Sequence, residues 1–225
     1  MPIDRRLETL HEDGVNPGAG TPLNLFVLGA TGRTGRHVTD QAIARGHRVT
    51  AMVRRYQSLT PHAKLKIVIG DPLNVDELAQ VLPGHDAVIS CLGQRSKADA
   101  TLLQNAAAAM LNAITRSRVR RYLVVSQGLL FPSRNPIIPL LRLILARHVA
   151  DSTAMEHLVR RSNIEWTIVR PPYLLDGGKQ RGYHAEMNAA PEGAWSMQRA
   201  DLATFLLDEA ERRQHVRTIV GLASA

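Results

Sequence analysis

The chain has 225 residues, with 28 Lys+Arg against 20 Asp+Glu and a formal net charge of +8. An apolar share of 44% beside 21% charged residues excludes wholesale disorder, and the single cysteine, Cys91, excludes a disulfide framework or a multi-thiolate metal site. The first 21 residues lack the apolar core of a secretory signal, and no apolar run approaches the roughly 18 residues of a membrane span, so a soluble, cytoplasmic protein is expected.

In chain order, residues 1–22 read as a loosely held extension, with one helical turn near Arg5–His11 and a Gly/Pro-rich end. A short apolar run, Asn24–Leu28, predicts a buried strand, and Arg33–Arg45 followed by Gly46 predicts a helix with a glycine stop. Further strands are expected at His47–Val53, Lys66–Ile69, Asp86–Cys91, Arg121–Val125 and Glu165–Val169. Helices are expected between them at Val75–Leu82, Ala98–Ser117 and Asp151–Arg161. The tail repeats the alternation at Ala194–Met197, Arg199–Ala210 and Thr218–Gly221. Strands alternating with helices predict a doubly wound parallel sheet of Rossmann type, forming one domain over 23–225 with small substrate-side elements near its C-terminus.

The strongest chemical signal is Gly29-Ala30-Thr31-Gly32-Arg33-Thr34-Gly35, placed directly after the first strand and opening the first helix. Glycine at these positions permits a sharp turn, a close backbone approach to a diphosphate, and tight helix–sheet packing. The helix start then offers free N–H groups to phosphate oxygens. The spacing differs from G-x-G-x-x-G, and the Gly-Lys-Ser/Thr ending of a triphosphate loop is missing, so a dinucleotide is expected. An NAD-binding chain carries a carboxylate near the end of the second strand to hold the ribose 2′-hydroxyl. Here that strand ends in Arg54-Arg55, whose guanidinium groups suit a 2′-phosphate, with Arg33 placed to reach the same group. NADP(H) is the expected cofactor.

These motifs, with Ala51-Met52-Val53-Arg54-Arg55, Gly70-Asp71-Pro72-Leu73, Ser90-Cys91-Leu92-Gly93, Thr167-Ile168-Val169-Arg170-Pro171-Pro172 and Arg199-Ala200-Asp201-Leu202-Ala203, resemble the atypical short-chain dehydrogenase/reductases. Within them the chain is most similar to the group holding biliverdin-IXβ/flavin reductase and NmrA-like proteins. The resemblance implies that Thr31 and Thr34 support the diphosphate and that Asp71 meets the adenine. It further implies that Leu92-Gly93 passes beneath the cofactor and that Pro171-Pro172-Tyr173 flanks the nicotinamide.

The chain departs from the wider superfamily in its proton donor. Many members use Tyr-x-x-x-Lys, yet the positions four residues after Tyr56, Tyr122, Tyr173 and Tyr183 hold Thr60, Ser126, Gly177 and Met187. Counting back from Ser162-Asn163-Ile164, the expected tyrosine and lysine positions hold His148 and Ser152. The hydroxyl pair expected after the fifth strand is Ser126-Gln127. Ketone reduction develops an alkoxide and demands a good acid, whereas a conjugated acceptor demands stacking and positioning. The expected reaction is therefore hydride transfer to a small, hydrophobic or aromatic acceptor (flavin-, quinone- or enone-like), with Ser126, Gln127, Tyr173 and His148 orienting it. The alternative is a non-catalytic NADP(H)-binding sensor of NmrA-like type.

Three further patterns bear on function. Ser126-Gln127-Gly128 lacks the leading glycine of a nucleophile elbow, because Val124 stands there. The histidines show no metal-ligand spacing, so no metal is expected. The arginines are scattered from Arg5 to Arg217 without interleaved aromatics, so neither a nucleic-acid partner nor a membrane is expected. The apolar run Ile137–Leu145 is open to three readings: a buried helix, a lid over a hydrophobic substrate, or a homodimer surface.

Overall fold

The computed structural model describes residues 21–55, 59–94, 100–133, 135–177, 180–193 and 195–225. The predicted extension, apart from its last residues, and its helical turn lie outside these.

Strands β1 (Asn24–Leu28), β2 (Arg48–Val53), β3 (Leu65–Ile69), β4 (Ala87–Ser90), β5 (Arg121–Val125), β6 (Glu165–Arg170) and β10 (Thr218–Ser224) run parallel in one sheet. With β8 (Tyr183–Met187) added at one edge, the order is β3-β2-β1-β4-β5-β6-β10-β8. Strand order reverses at β1, between β2 and β4, and a doubly wound sheet opens its ligand crevice at that point.

The alternation of β1 divides the interior in two. Leu25 and Val27 join one core with Val38 and Ala42 of α1 (Arg33–Ala44) and Leu202 and Leu206 of α6 (Arg199–Arg212). Phe26 and Leu28 face the other way and pack with Leu78 of α2 (Val75–Val81), Met110 of α3 (Leu102–Thr115) and Met155 of α5 (Ala146–Arg160). Period-two side-chain direction thus produces a sheet covered by helices on both faces.

The tail departs from the predicted pattern in two ways. β8 runs antiparallel to β10, so the sheet is mostly rather than wholly parallel. β9 (Ser196–Gln198) sits outside the main sheet and pairs with β7 (Tyr173–Leu175) in a small parallel sheet of its own. Short segments of three to five residues carry too little periodicity to state their partner; tertiary contacts choose it.

The glycine loop is set by steric contact. Gly29 adopts φ +74, and a Cβ at Gly35 would stand 2.1 Å from the Gly29 carbonyl oxygen. That neighbour is backbone and cannot swing away, so Gly35→Ala is expected to cost at least about 2 kcal/mol. Urea denaturation would measure the loss, and an unchanged midpoint would contradict it.

Candidate functional site

A cavity of about 640 Å³ opens at the carboxyl ends of β1, β2, β4 and β5. At one end its wall is the glycine loop, including Gly29, Thr31, Gly32, Arg33 and Thr34, together with Arg54, Arg55 and Pro72. Cys91, Leu92 and Gly93 form the middle, and Val125, Ser126, Gln127, His148 and Ser152 stand at the far end. Most of the residues singled out from the sequence therefore converge on one space.

The electrostatics of three helix starts differ. α2 is capped by Asn74, whose side chain accepts from the N–H groups of Asp76 and Glu77, and its first turn is acidic. The start of α3 is filled by the buried Asp151 carboxylate, which accepts from the backbone N–H groups of Leu103 and Gln104 at 3.0 and 2.9 Å. The start of α1 has Gly32 as its cap, with no side-chain cap bond and no acid in its first turn. An uncapped helix start lined by glycine fits a diphosphate, and two arginines at the end of β2 fit an additional phosphate. The residues present thus suit a phosphorylated dinucleotide.

Several placements differ from the sequence expectation. Arg33 lines the cavity, but its guanidinium pairs with Asp176 at 2.7 Å instead of turning toward Arg54; Asp176 also pairs with Arg199 at 3.0 Å. Tyr173 lies outside the cavity lining and is 74% exposed. Its neighbour Leu174 lines the cavity, and strand alternation turns Tyr173 to the outer side of β7. Pro172 also stands outside the lining, as does Gly35, which is buried against the Gly29 backbone. So does Asp71: its carboxylate accepts from the Leu73 N–H, and the cavity-facing residue there is Pro72. Sequence reasoning passed over Gln94, Leu102, Leu103 and Leu174 as lining residues. Leu174 could have been found from its place directly after the Arg-Pro-Pro-Tyr run; Gln94 carried no signal.

At the far end the polar groups are already linked. The Ser126 hydroxyl donates to Glu156 at 2.6 Å, and Arg170 grips the same carboxylate from Nε at 2.9 Å and from Nη2 at 2.6 Å. Gln127 donates to the His148 carbonyl at 3.0 Å and to Ser152 Oγ at 2.8 Å. Removal from water pushes the Cys91 thiol up to about 12, so it remains a neutral, inert part of the wall.

The segment Ile137–Ile144 forms α4, and none of its residues is buried, which removes the reading of a buried helix. Ile137, Leu140, Leu143 and Ile144 are exposed, while Arg142 holds the inner side by donating to the carbonyls of Leu129 and Phe131.

Residues 29–213 match the sequence family described as NAD(P)H-binding, and the chain belongs to that family. It is 26% identical over 209 residues to the uncharacterized protein YwnB of Bacillus subtilis (strain 168), covering 86% of this chain and 94% of that one. It is 32% identical over 176 residues to the uncharacterized chloroplastic protein At2g34460 of Arabidopsis thaliana, covering 71% of this chain but only 62% of the relative. Among solved structures it is similar to SP1627 of Streptococcus pneumoniae TIGR4, a candidate NADH-flavin reductase, at 26% identity and a TM-score of 0.74. That likeness covers 90% of this chain and 100% of the other. The family is that of NAD(P)H-binding proteins, and the fold is the one it shares with that neighbour. No helix among the described residues is long and apolar enough to cross a membrane.

Proposed function

We propose that residues 23–225 form an NADPH-dependent reductase that passes hydride to a small conjugated or aromatic acceptor without a Tyr-x-x-x-Lys pair. The carrying observation is a cavity that joins the open start of α1 and Arg54-Arg55 to Ser126, Gln127 and His148. Hydride is the chemistry that a reduced nicotinamide supplies when bound. The chain's own part is to hold and to orient. Gly29, Gly32 and the hydroxyls of Thr31 and Thr34 would carry the diphosphate, and Arg54 and Arg55 the 2′-phosphate. Leu92, Gly93 and Leu174 would bound the ring, with Ser126, Gln127 and the His148 backbone fixing the acceptor's end.

The reading is tested by steady-state NADPH oxidation with flavin, quinone and enone acceptors. Turnover with at least one is expected, and tight NADPH binding without turnover of any would overturn it. The second reading, an NADP(H)-binding sensor, draws on one observation. The positions that carry tyrosine and lysine elsewhere hold His148 and Ser152, and both are tied to Gln127.

A further inference from the structure

We infer that Glu156 is a positioning residue that claims the hydroxyl proton of Ser126, so that the far end of the cavity selects a ring offering an N–H donor. The inference rests on the reductase reading for where the acceptor lies.

Glu156 is buried on α5 and does not line the cavity. Its Oε1 receives the Ser126 hydroxyl at 2.6 Å and Arg170 Nε at 2.9 Å, and its Oε2 receives Arg170 Nη2 at 2.6 Å. A carboxylate held in this two-pronged way by a guanidinium is an acceptor only, which makes the serine the donor. The geometry is braced from behind, because the Arg170 guanidinium carbon lies 4.6 Å from the centre of the Phe131 ring. Ser126 has one proton and has spent it; what it turns to the cavity is lone pairs.

Two neighbours share that polarity. Both amide hydrogens of Gln127 go inward, one to the His148 carbonyl and one to Ser152 Oγ. A carbonyl can only accept, which fixes the sense of the amide and leaves Oε1 as its remaining hydrogen-bonding atom. Gln94 likewise donates from Nε2 to Asp151 and to the Ala100 carbonyl, and its Oε1 has no partner among the described residues. All three residues line the cavity. Ligands carrying only carbonyl acceptors would leave these oxygens without partners, whereas a ring lactam or imide N–H would satisfy them. Polar groups that a bound ligand leaves unpaired discriminate by about 10- to 100-fold.

The test is equilibrium binding to the full chain saturated with NADP⁺, using lumiflavin and its N3-methyl derivative as probes. Wild type is expected to bind the N–H ring at least tenfold more tightly. Ser126→Ala, which leaves the Glu156–Arg170 pair whole, should reduce the preference to within threefold. Glu156→Ala, which removes the acceptor altogether, should reduce it as well, with circular dichroism reporting whether that variant folds. Equal affinities in wild type, binding of neither ring, or a full preference surviving in Ser126→Ala would overturn the inference. NADPH turnover is scored separately. Turnover without the N–H preference sinks this inference and leaves the reductase standing; the preference without turnover does the reverse.

Discussion

Replacing Arg54 and Arg55 together by alanine is expected to weaken NADPH binding by about 30- to 100-fold while NADH affinity changes less than threefold. Both residues line the cavity at the end of β2, and β2 lies beside β1, the strand that feeds the glycine loop. The ribose end of a dinucleotide held at the α1 start falls there in this fold. Both arginines are exposed, which moderates the effect through solvent screening. Arg33→Ala is expected to do much less to the NADPH/NADH ratio, because its guanidinium is turned to Asp176. Titration of both cofactors decides the matter: an equal loss for NADH and NADPH would show that the arginines do not read the 2′-phosphate.

The largest stability effect is expected at Glu209. Its carboxylate receives Arg121 Nη2 at 2.6 Å, the His215 backbone N–H at 2.8 Å and His215 Nδ1 at 2.8 Å, while Arg121 also donates to Thr167. Arg121 and Glu209 are both buried. Glu209→Gln breaks the pair from one side and leaves a buried guanidinium charge uncompensated, a change that costs about 3–5 kcal/mol. Burial, helped by the nearby Arg213 charge, lowers Arg121 to about 10 despite its partner, so the pair is costly to keep as well as to break. Arg121→Met combined with Glu209→Leu should therefore be less damaging than Glu209→Gln alone, and the reverse order in urea denaturation would contradict this account.

The same carboxylate gives a pH dependence with a defined sign. Burial would raise Glu209, but hydrogen bonds from His215 and the Arg121 charge outweigh it and hold the group below the usual carboxylate value of 4.5. A carboxyl lowered on folding contributes stability above its unfolded pKa, and the contribution is lost as pH falls through the folded value. Wild type should thus lose stability on acidification below about pH 4.5, with a shallower dependence in Glu209→Gln, as followed by urea midpoints.

How much of this was legible beforehand depended on the range of the interaction. β1, the glycine loop and α1 follow from local periodicity and steric demand, and Asn24–Leu28 and Arg121–Val125 coincide with the expected strands. The cavity gathers Arg54, Leu92, Ser126 and His148 because parallel strands bring their carboxyl ends together, which alternation alone implies. The antiparallel course of β8 was not legible, because it is fixed by pairing with β10 across the intervening α6. Nor was the exposure of α4: a run such as Ile137–Leu145 reads equally as core or surface until its neighbours are placed. The direction of the Ser126 proton was hidden most deeply, since it depends on Glu156 and Arg170, 30 and 44 positions farther along the chain.

Asp151 has a consequence for the manner in which a ligand can enter. α1 and α3 both begin at the cavity wall, and both starts would attract anions; that of α3 is already served by a carboxylate belonging to the chain itself. That internal anion makes the two helix starts unequal. On the proposed cofactor reading, an NADP turned end for end would bring its 2′-phosphate toward a negative oxygen and away from Arg54 and Arg55. On that reading, one side chain that need never touch the ligand would help to set its direction.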